Sequence, residues 1–244
     1  MNGLLAIEAS QRAISVAIRS ADGTLHERAP TGDTRECDLL LPAIVDLCAS
    51  AGFTQRELTA VAVSTGPGGF TGLRVALATA KGLCEALNIP AIDVASALVA
   101  ARGARELWHV DGSRSCVLVG LASKGDSCWL SLVESNEAGA ITLAHESTAT
   151  ACSLEATSAR LEATAKLLIA DEYLPLALRA RAEARGMRVV VPSFHARDCL
   201  SVAEQLFGQG RTTDAAGVQV RYPREPEAVT LWRARYPHGF AAKK

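Results

Sequence analysis

Residues 64–83 read STGPGGFTGLRVALATAKGL, a glycine cluster set between an apolar run and a long helical pattern. Glycines let a backbone close on an anion, and the first N–H groups of a helix point outward, so this stretch has the chemistry of a phosphate site. Its spacing departs from the common phosphate motifs. A P-loop requires G-x-x-x-x-G-K-[ST], but the fifth residue after Gly66 is Thr71 and no lysine follows it. Gly66 and Gly68 open a G-x-G-x-x-G, yet Thr71 stands where the third glycine belongs. Two readings stay open: a phosphate loop made by Gly66, Gly68, Gly69 and Thr71, and a tight structural turn.

Other chemistry-bearing residues are scattered. His26, His109, His145, His195 and His238 stand singly, with no H-x-x-x-H or H-E-x-x-H to hold a metal on one helix. The 7 cysteines contain no C-x-x-C pair and are expected to be reduced and half-buried. Ser10 and Ser64 lack the G-x-S-x-G of a nucleophile elbow. Asp171 and Glu172, after the strand pattern LLIA, read either as an acid pair or as solvated helix caps. Near the end, Arg221, Arg224, Arg233, Arg235, Lys243 and Lys244 are interleaved with Tyr222, Trp232 and Tyr236, a mixture suited to RNA or an acidic partner and equally to a solvated tail.

The elements that position these residues follow from periodicity. Leu4–Ala9, residues 14–18 and Thr24–Ala29 read as a strand meander. A helix over Cys37–Ala51, a strand over Ala60–Thr65, a helix over Thr71–Leu87, a strand over Ala91–Ser96 and a helix over Leu98–Arg105 come next. From Glu106 the same order restarts. Strands are expected at Val117–Ala122, Trp129–Val133 and Ile141–His145, then helices near Leu154–Ala163, Pro175–Arg185 and Ser201–Phe207 alternate with the strands Leu167–Ala170 and Met187–Val191. Meander followed by alternation, twice over, predicts an α/β protein with a duplicated architecture. The helix over Thr71–Leu87 confines Arg74, Lys81, Glu85 and Asn88 to one narrow stripe, and leucine, valine, alanine and cysteine cover most of the rest. One sheet buries a single stripe, so a second surface must cover this helix, from the same chain or from another protein.

Composition bounds the remainder. The chain has 244 residues, 49% of them hydrophobic, ample for a core. With 25 basic against 26 acidic residues and a net charge of −1, no global field draws it to nucleic acid or an anionic membrane. The opening MNGLLAIEAS lacks a basic region followed by an apolar core, and no apolar run reaches the roughly 20 residues that span a bilayer. A soluble, cytoplasmic protein is expected.

Taken together, LLAIEAS, CDLLLPAIVDLC, AVAVSTGPGGFTGLRVALATAKGLCEALNIP and the late VRYPREP resemble the TsaB (YeaZ) family, most clearly over residues 1–100. The resemblance implies the two-lobe actin/Hsp70-like ATPase (ASKHA) fold, with lobes at 1–104 and 105–208 and a C-terminal segment, 209–244, returning to the first. It implies a non-catalytic partner of TsaD in forming N6-threonylcarbamoyladenosine at position 37 of tRNAs that read codons beginning with A. Further partners implied are the ATPase TsaE, tRNA through the complex, and a second copy of the chain when TsaD is absent. No cofactor of its own is implied; nucleotide contact at the TsaD junction stays open. The partner surface is expected on the first two long helices, at Leu40, Leu41, Ile44, Leu73, Arg74, Ala76, Leu77, Ala80, Lys81 and Cys84, with Ala76 and Ala80 small enough to admit a facing helix.

The departures from the family are chemical. TsaD-like proteins carry two metal-binding histidines where this chain has Ser96 and Ala100, neither of which supplies an imidazole. Glu8-Ala9-Ser10 replaces Asp-Thr-Ser, Cys37-Asp38 stands where a histidine is common, and Ala122-Ser123-Lys124 replaces Asp-Ala-Arg. A stand-alone kinase-like enzyme of the same fold needs a phosphate loop and an aspartate in the second lobe, and a metallopeptidase needs ligands; neither set is found.

Overall fold

The computed structural model describes residues 3–20, 22–29, 39–109, 114–122, 127–150, 165–222 and 227–236. Two five-stranded sheets form its frame. In the first, β1 (Leu4–Glu8) lies between β2 (Ser15–Arg19), antiparallel, and β4 (Ala60–Gly66), parallel; β3 (Leu25–Arg28) and β5 (Ala91–Ala95) complete the order β3-β2-β1-β4-β5. The second sheet repeats this plan. Here β6 (Ser115–Ala122) is flanked by antiparallel β7 (Ser127–Ser135) and parallel β9 (Leu167–Ala170), with β8 (Ile141–Thr150) and β10 (Arg188–Val190) outermost, in the order β10-β9-β6-β7-β8. The duplication expected from element order is present as topology.

Strand alternation distributes three cores. On the outer face of the first sheet Leu5, Ile7, Val61 and Val63 meet α1 (Leu40–Ser50) and α2 (Phe70–Leu87). On its inner face stand Leu4 and a row of alanines, Ala6, Ala17, Ala60 and Ala62, beneath α3 (Ser96–Gly103) and α5 (Ala196–Gly208). Those two helices also present alanines, Ala97, Ala100, Ala101, Ala196 and Ala203, so helix and sheet approach closely. The far side of this middle layer is the second sheet, through Val117, Val119, Leu167 and Ile169. Its outer face is closed by Leu178 and Ala182 of α4 (Leu176–Ala184). A last helix, α6 (Glu227–Arg235), follows.

Helix α5 comes from the second half of the sequence but docks on the first sheet. Its backbone N–H at Ala196 donates to Ser15 Oγ at 2.9 Å, Arg19 pairs with Glu204 at 2.7 Å, and Arg197 with Glu27 at 3.0 Å. Toward the other sheet, Gln205 exchanges two hydrogen bonds with the backbone of Ile141, at 2.8 and 2.9 Å. One helix thus joins both sheets. Beyond it the chain runs back over the first sheet: Thr213 and Ala91 exchange backbone hydrogen bonds, Ala215 and Val218 enter the outer core, and the Arg221 N–H donates to the Thr65 carbonyl at 2.7 Å.

Several element boundaries differ from the periodicity. The helix expected at Leu98–Arg105 starts at Ser96, directly after β5, because Ala95 is the last extended residue. The helix expected at Ser201–Phe207 starts five residues earlier, at Ala196, since its first turns carry the polar Arg197 and Asp198 that hide the apolar period. The helix expected near Leu154–Ala163, and the Cys37-Asp38 and Ser123-Lys124 positions, lie outside the described residues.

Candidate functional site

At the carboxyl ends of β1 and β4 the chain forms the place where an anion was expected. The Gly66-Pro67 peptide is cis and Gly66 has φ 107°, a region that side chains disfavour. The loop then turns onto the backbone after β1. The Gly69 N–H donates to the Ser10 carbonyl at 2.7 Å, and a Cβ at Gly68 would overlap that same carbonyl. A Cβ at Gly72 would likewise press on the Ala9 carbonyl. The glycines are used for close approach of chain to chain. Of the four residues read as a phosphate loop, Gly66 is buried, and Gly68, which lies against the Ser10 carbonyl, Gly69 and Thr71 are exposed.

Glu8, at the end of β1, is fully buried. Its Oε1 accepts hydrogen bonds from the Ser10 N–H at 2.7 Å and the Ser10 hydroxyl at 2.6 Å, while Oε2 has no partner. Burial pushes its carboxyl up to about 7, against the opposing pull of the Ser10 hydrogen bonds. Ser96 and Ala100, where metal-binding histidines would stand, are buried one turn apart on α3. Among the described residues no cluster of three or more His, Cys, Asp or Glu side chains could hold a metal. The Asp171 carboxyl, raised by burial, accepts the Tyr173 N–H at 3.0 Å and so organises its own turn.

Between the sheets lies a polar network that periodicity did not reveal. Arg221 donates to Glu146 of β8 at 3.1 Å and to Asp93 of β5 at 3.4 Å. Asp93 accepts the Thr65 hydroxyl, and Glu146 accepts the Trp129 indole N–H at 3.0 Å. Arg221 was read as part of a basic tail; its backbone pairing with Thr65 instead carries it into the space between the lobes. Its neighbour Tyr222 goes to the surface, where its hydroxyl accepts the Arg74 Nε–H at 2.9 Å and Arg74 stacks on Phe70 at 3.5 Å.

The expected partner surface is corrected by this packing. Leu40, Ile44, Ala76, Leu77, Ala80 and Cys84 are buried in the chain's own outer core, because α1 and α2 lay these faces on β1, β2 and β4, and Leu73 is buried beside Gly66. They are not available to a second protein. The outward faces instead present Leu41 (55% exposed), Val45 (50%) and Phe70 (55%), with Arg74 exposed and Lys81 half-buried beside them. Leu41 and Val45 stand one turn apart on α1, and Phe70 and Arg74 one turn apart on α2. Leu41, Arg74 and Lys81 were in the expected set; Val45, Phe70 and Tyr222 were missed. The i, i+4 spacing of Leu41 with Val45 was a signal for the first of these.

Two sheets of identical strand order, joined by a middle layer of helices, define a two-lobed protein of the actin-like ATPase fold. The solved structure of YeaZ from Pseudomonas aeruginosa superposes with a TM-score of 0.68, covering 91% of this chain and 100% of that one at 23% identity. In sequence the chain is similar to proteins of the TsaB (YeaZ) family. It is 29% identical over 126 residues to the tRNA threonylcarbamoyladenosine biosynthesis protein TsaB of Escherichia coli, a match spanning 52% of this chain and 53% of that protein. To the Haemophilus influenzae TsaB it is 34% identical over 110 residues, 44% of this chain and 45% of the relative. The chain therefore spans about half the length of these curated relatives in the matched region. Residues 37–127 also match the family described as TsaD, tRNA N6-adenosine threonylcarbamoyltransferase.

Proposed function

We propose that this chain takes part in the biosynthesis of tRNA threonylcarbamoyladenosine as a non-catalytic partner of a TsaD-type transferase. The product is N6-threonylcarbamoyladenosine at position 37 of tRNAs reading codons that begin with A. The observation that carries the reading is the outward surface of α1 and α2. Leu41 and Val45 leave an apolar ridge in water, and the Phe70–Arg74–Tyr222 stack supplies the aromatic and arginine side chains that dominate protein interfaces. The glycine loop is used for the chain's own packing, with Gly68 set against the Ser10 carbonyl and the Gly69 N–H donated to it. Nucleotide contact is assigned to the junction with the partner rather than to this chain alone. TsaE joins through the complex, and a second copy of the chain covers the same ridge when the transferase is absent.

The test is capture of the TsaD-type protein by the tagged chain, comparing wild type with Leu41→Arg. An exposed substitution of this kind leaves the fold unchanged within about 0.5 kcal/mol. Loss of a central contact worth about 2 kcal/mol weakens association roughly 30-fold. Wild-type capture by a folded Leu41→Arg variant places the interface elsewhere, and failure of the wild-type chain to capture the transferase sinks the partner reading.

A further inference from the structure

The edge of the second sheet where its parallel strands begin carries a charge pattern that the partner surface does not use. Three adjacent parallel strands of the second sheet, in the order β10, β9, β6, begin there. Each has a cation at its leading end: Arg188 opens β10, Lys166 precedes Leu167 of β9, and Arg114 precedes Ser115 of β6. Neighbouring strands are about 4.8 Å apart, so the sheet sets these cations in a row along its edge. All three line one open hollow of about 540 Å³.

That hollow adjoins a second, of about 670 Å³, along the side chains of Glu106 and His109, which line both. The second hollow adds Arg102, in the last turn of α3, and Arg105, two residues beyond that helix, whose charges repel one another. Burial and then the Arg105 charge lower the pKa of the Arg102 guanidinium. Among the described lining residues, five lysine and arginine side chains are offset by the carboxylates of Glu106 and Asp198, in a chain whose overall charge is −1. Arg105, Arg114, Lys166 and Arg188 form no ion pair with a described carboxylate. A cationic row several strands wide is larger than a single phosphate requires and matches a repeating anion.

We propose that this groove holds the phosphate backbone of RNA, placing tRNA against the second lobe, on a surface distinct from the outer faces of α1 and α2. The choice of RNA among polyanions rests on the proposed role in tRNA modification. Arginine suits the task because its planar fork donates two hydrogen bonds to a phosphate, and the contacts are to backbone rather than bases, so sequence preference is not expected from this chain.

The experiment is fluorescence anisotropy of a labelled, unmodified tRNA transcript with the full chain, from 50 to 200 mM salt. The triple variant Arg114→Glu, Lys166→Glu, Arg188→Glu is compared with wild type and with a control, Arg56→Glu, Arg211→Glu, that reverses exposed cations elsewhere. Expected are salt-sensitive wild-type binding, at least a tenfold loss in the triple variant, and a log–log salt slope shallower by about 2–3. Circular dichroism checks that the triple variant is folded. Should it not fold, Arg114→Gln and Arg188→Gln are read singly. Absence of wild-type binding at 50 mM salt, an equal loss in the control, or displacement of RNA by poly-glutamate as readily as by unlabelled RNA overturns the proposal. Capture of the TsaD-type protein by the triple variant is read alongside and stays at the wild-type level, so failure of the groove and failure of the partner reading are distinguishable.

Discussion

Glu8 shows what burial does to a carboxyl at the end of β1. A buried carboxyl that satisfies one oxygen through Ser10 and leaves the other bare favours its protonated form, and its value rises from the usual 4.5 to about 7. Because the folded chain then holds the proton more tightly than the unfolded chain, this group lowers stability progressively as pH rises from 4.5 to about 7, and by a constant amount above that. The full effect is on the order of 3 kcal/mol. Glu8→Gln keeps an oxygen for Ser10 and removes the titration, so it is expected to raise Tm at pH 8 and to approach wild type near pH 4.5. A pH-independent difference in Tm means that Glu8 holds its proton no more tightly in the folded chain than in the unfolded one. Gly68 makes the companion case. Its alanine variant drives a Cβ into the Ser10 carbonyl, a backbone atom that cannot swing aside, and a loss of about 1–3 kcal/mol is expected from chemical denaturation. An unchanged midpoint contradicts the close approach.

On the scale of elements, α1 and α2 divide their residues between two surfaces. Ala80 is fully buried against the first sheet, whereas Leu41 is largely in water, although both belong to apolar helix patterns that look alike in sequence. Arginine at the two positions is therefore expected to have opposite consequences. Ala80→Arg forces a long charged side chain into the outer core and abolishes cooperative thermal unfolding. Leu41→Arg melts like wild type and loses the partner. A folded Ala80→Arg variant contradicts the packing of α2.

Across the whole molecule, Arg221 is the side chain that ties one sheet to the other from the C-terminal segment. Its partners Asp93 and Glu146 come from β5 and β8, and its own backbone is fixed to Thr65 of β4. Truncation leaves a half-buried carboxylate on each sheet without its cation. Arg221→Ala is expected to cost about 1–3 kcal/mol and to speed amide exchange in β8 and in residues 218–222 together. Lysine, a single point charge, recovers only part of this, since it does not bridge both carboxylates. Unchanged exchange in β8 limits the contact to a surface pair of little weight. The docking of α5 on the first sheet explains why this tie matters, because the lobes share a middle layer and any loosening is felt by both cores.

The amino-acid sequence by itself determined the alternation of strands and helices, the repetition of a meander followed by alternating elements, and the resemblance to the TsaB (YeaZ) family, because periodicity and the long block around Gly66 are local properties of the chain. It also determined that no described helix is long and apolar enough to cross a membrane. Tertiary structure alone decided which side of each helix is used. The pattern of α2 states only that the helix is apolar nearly all round; which stripe meets β1 and β4 and which stays outside depends on how the helix lies on the sheet. The glycine loop was ambiguous for the same reason, since Gly66 and Gly68 suit a phosphate or a neighbouring backbone equally until the turn after β1 is placed beside them. Arg221, Asp93 and Glu146 lie far apart in the chain, and so do Arg114, Lys166 and Arg188. No local pattern links such residues, and strand order brings them together.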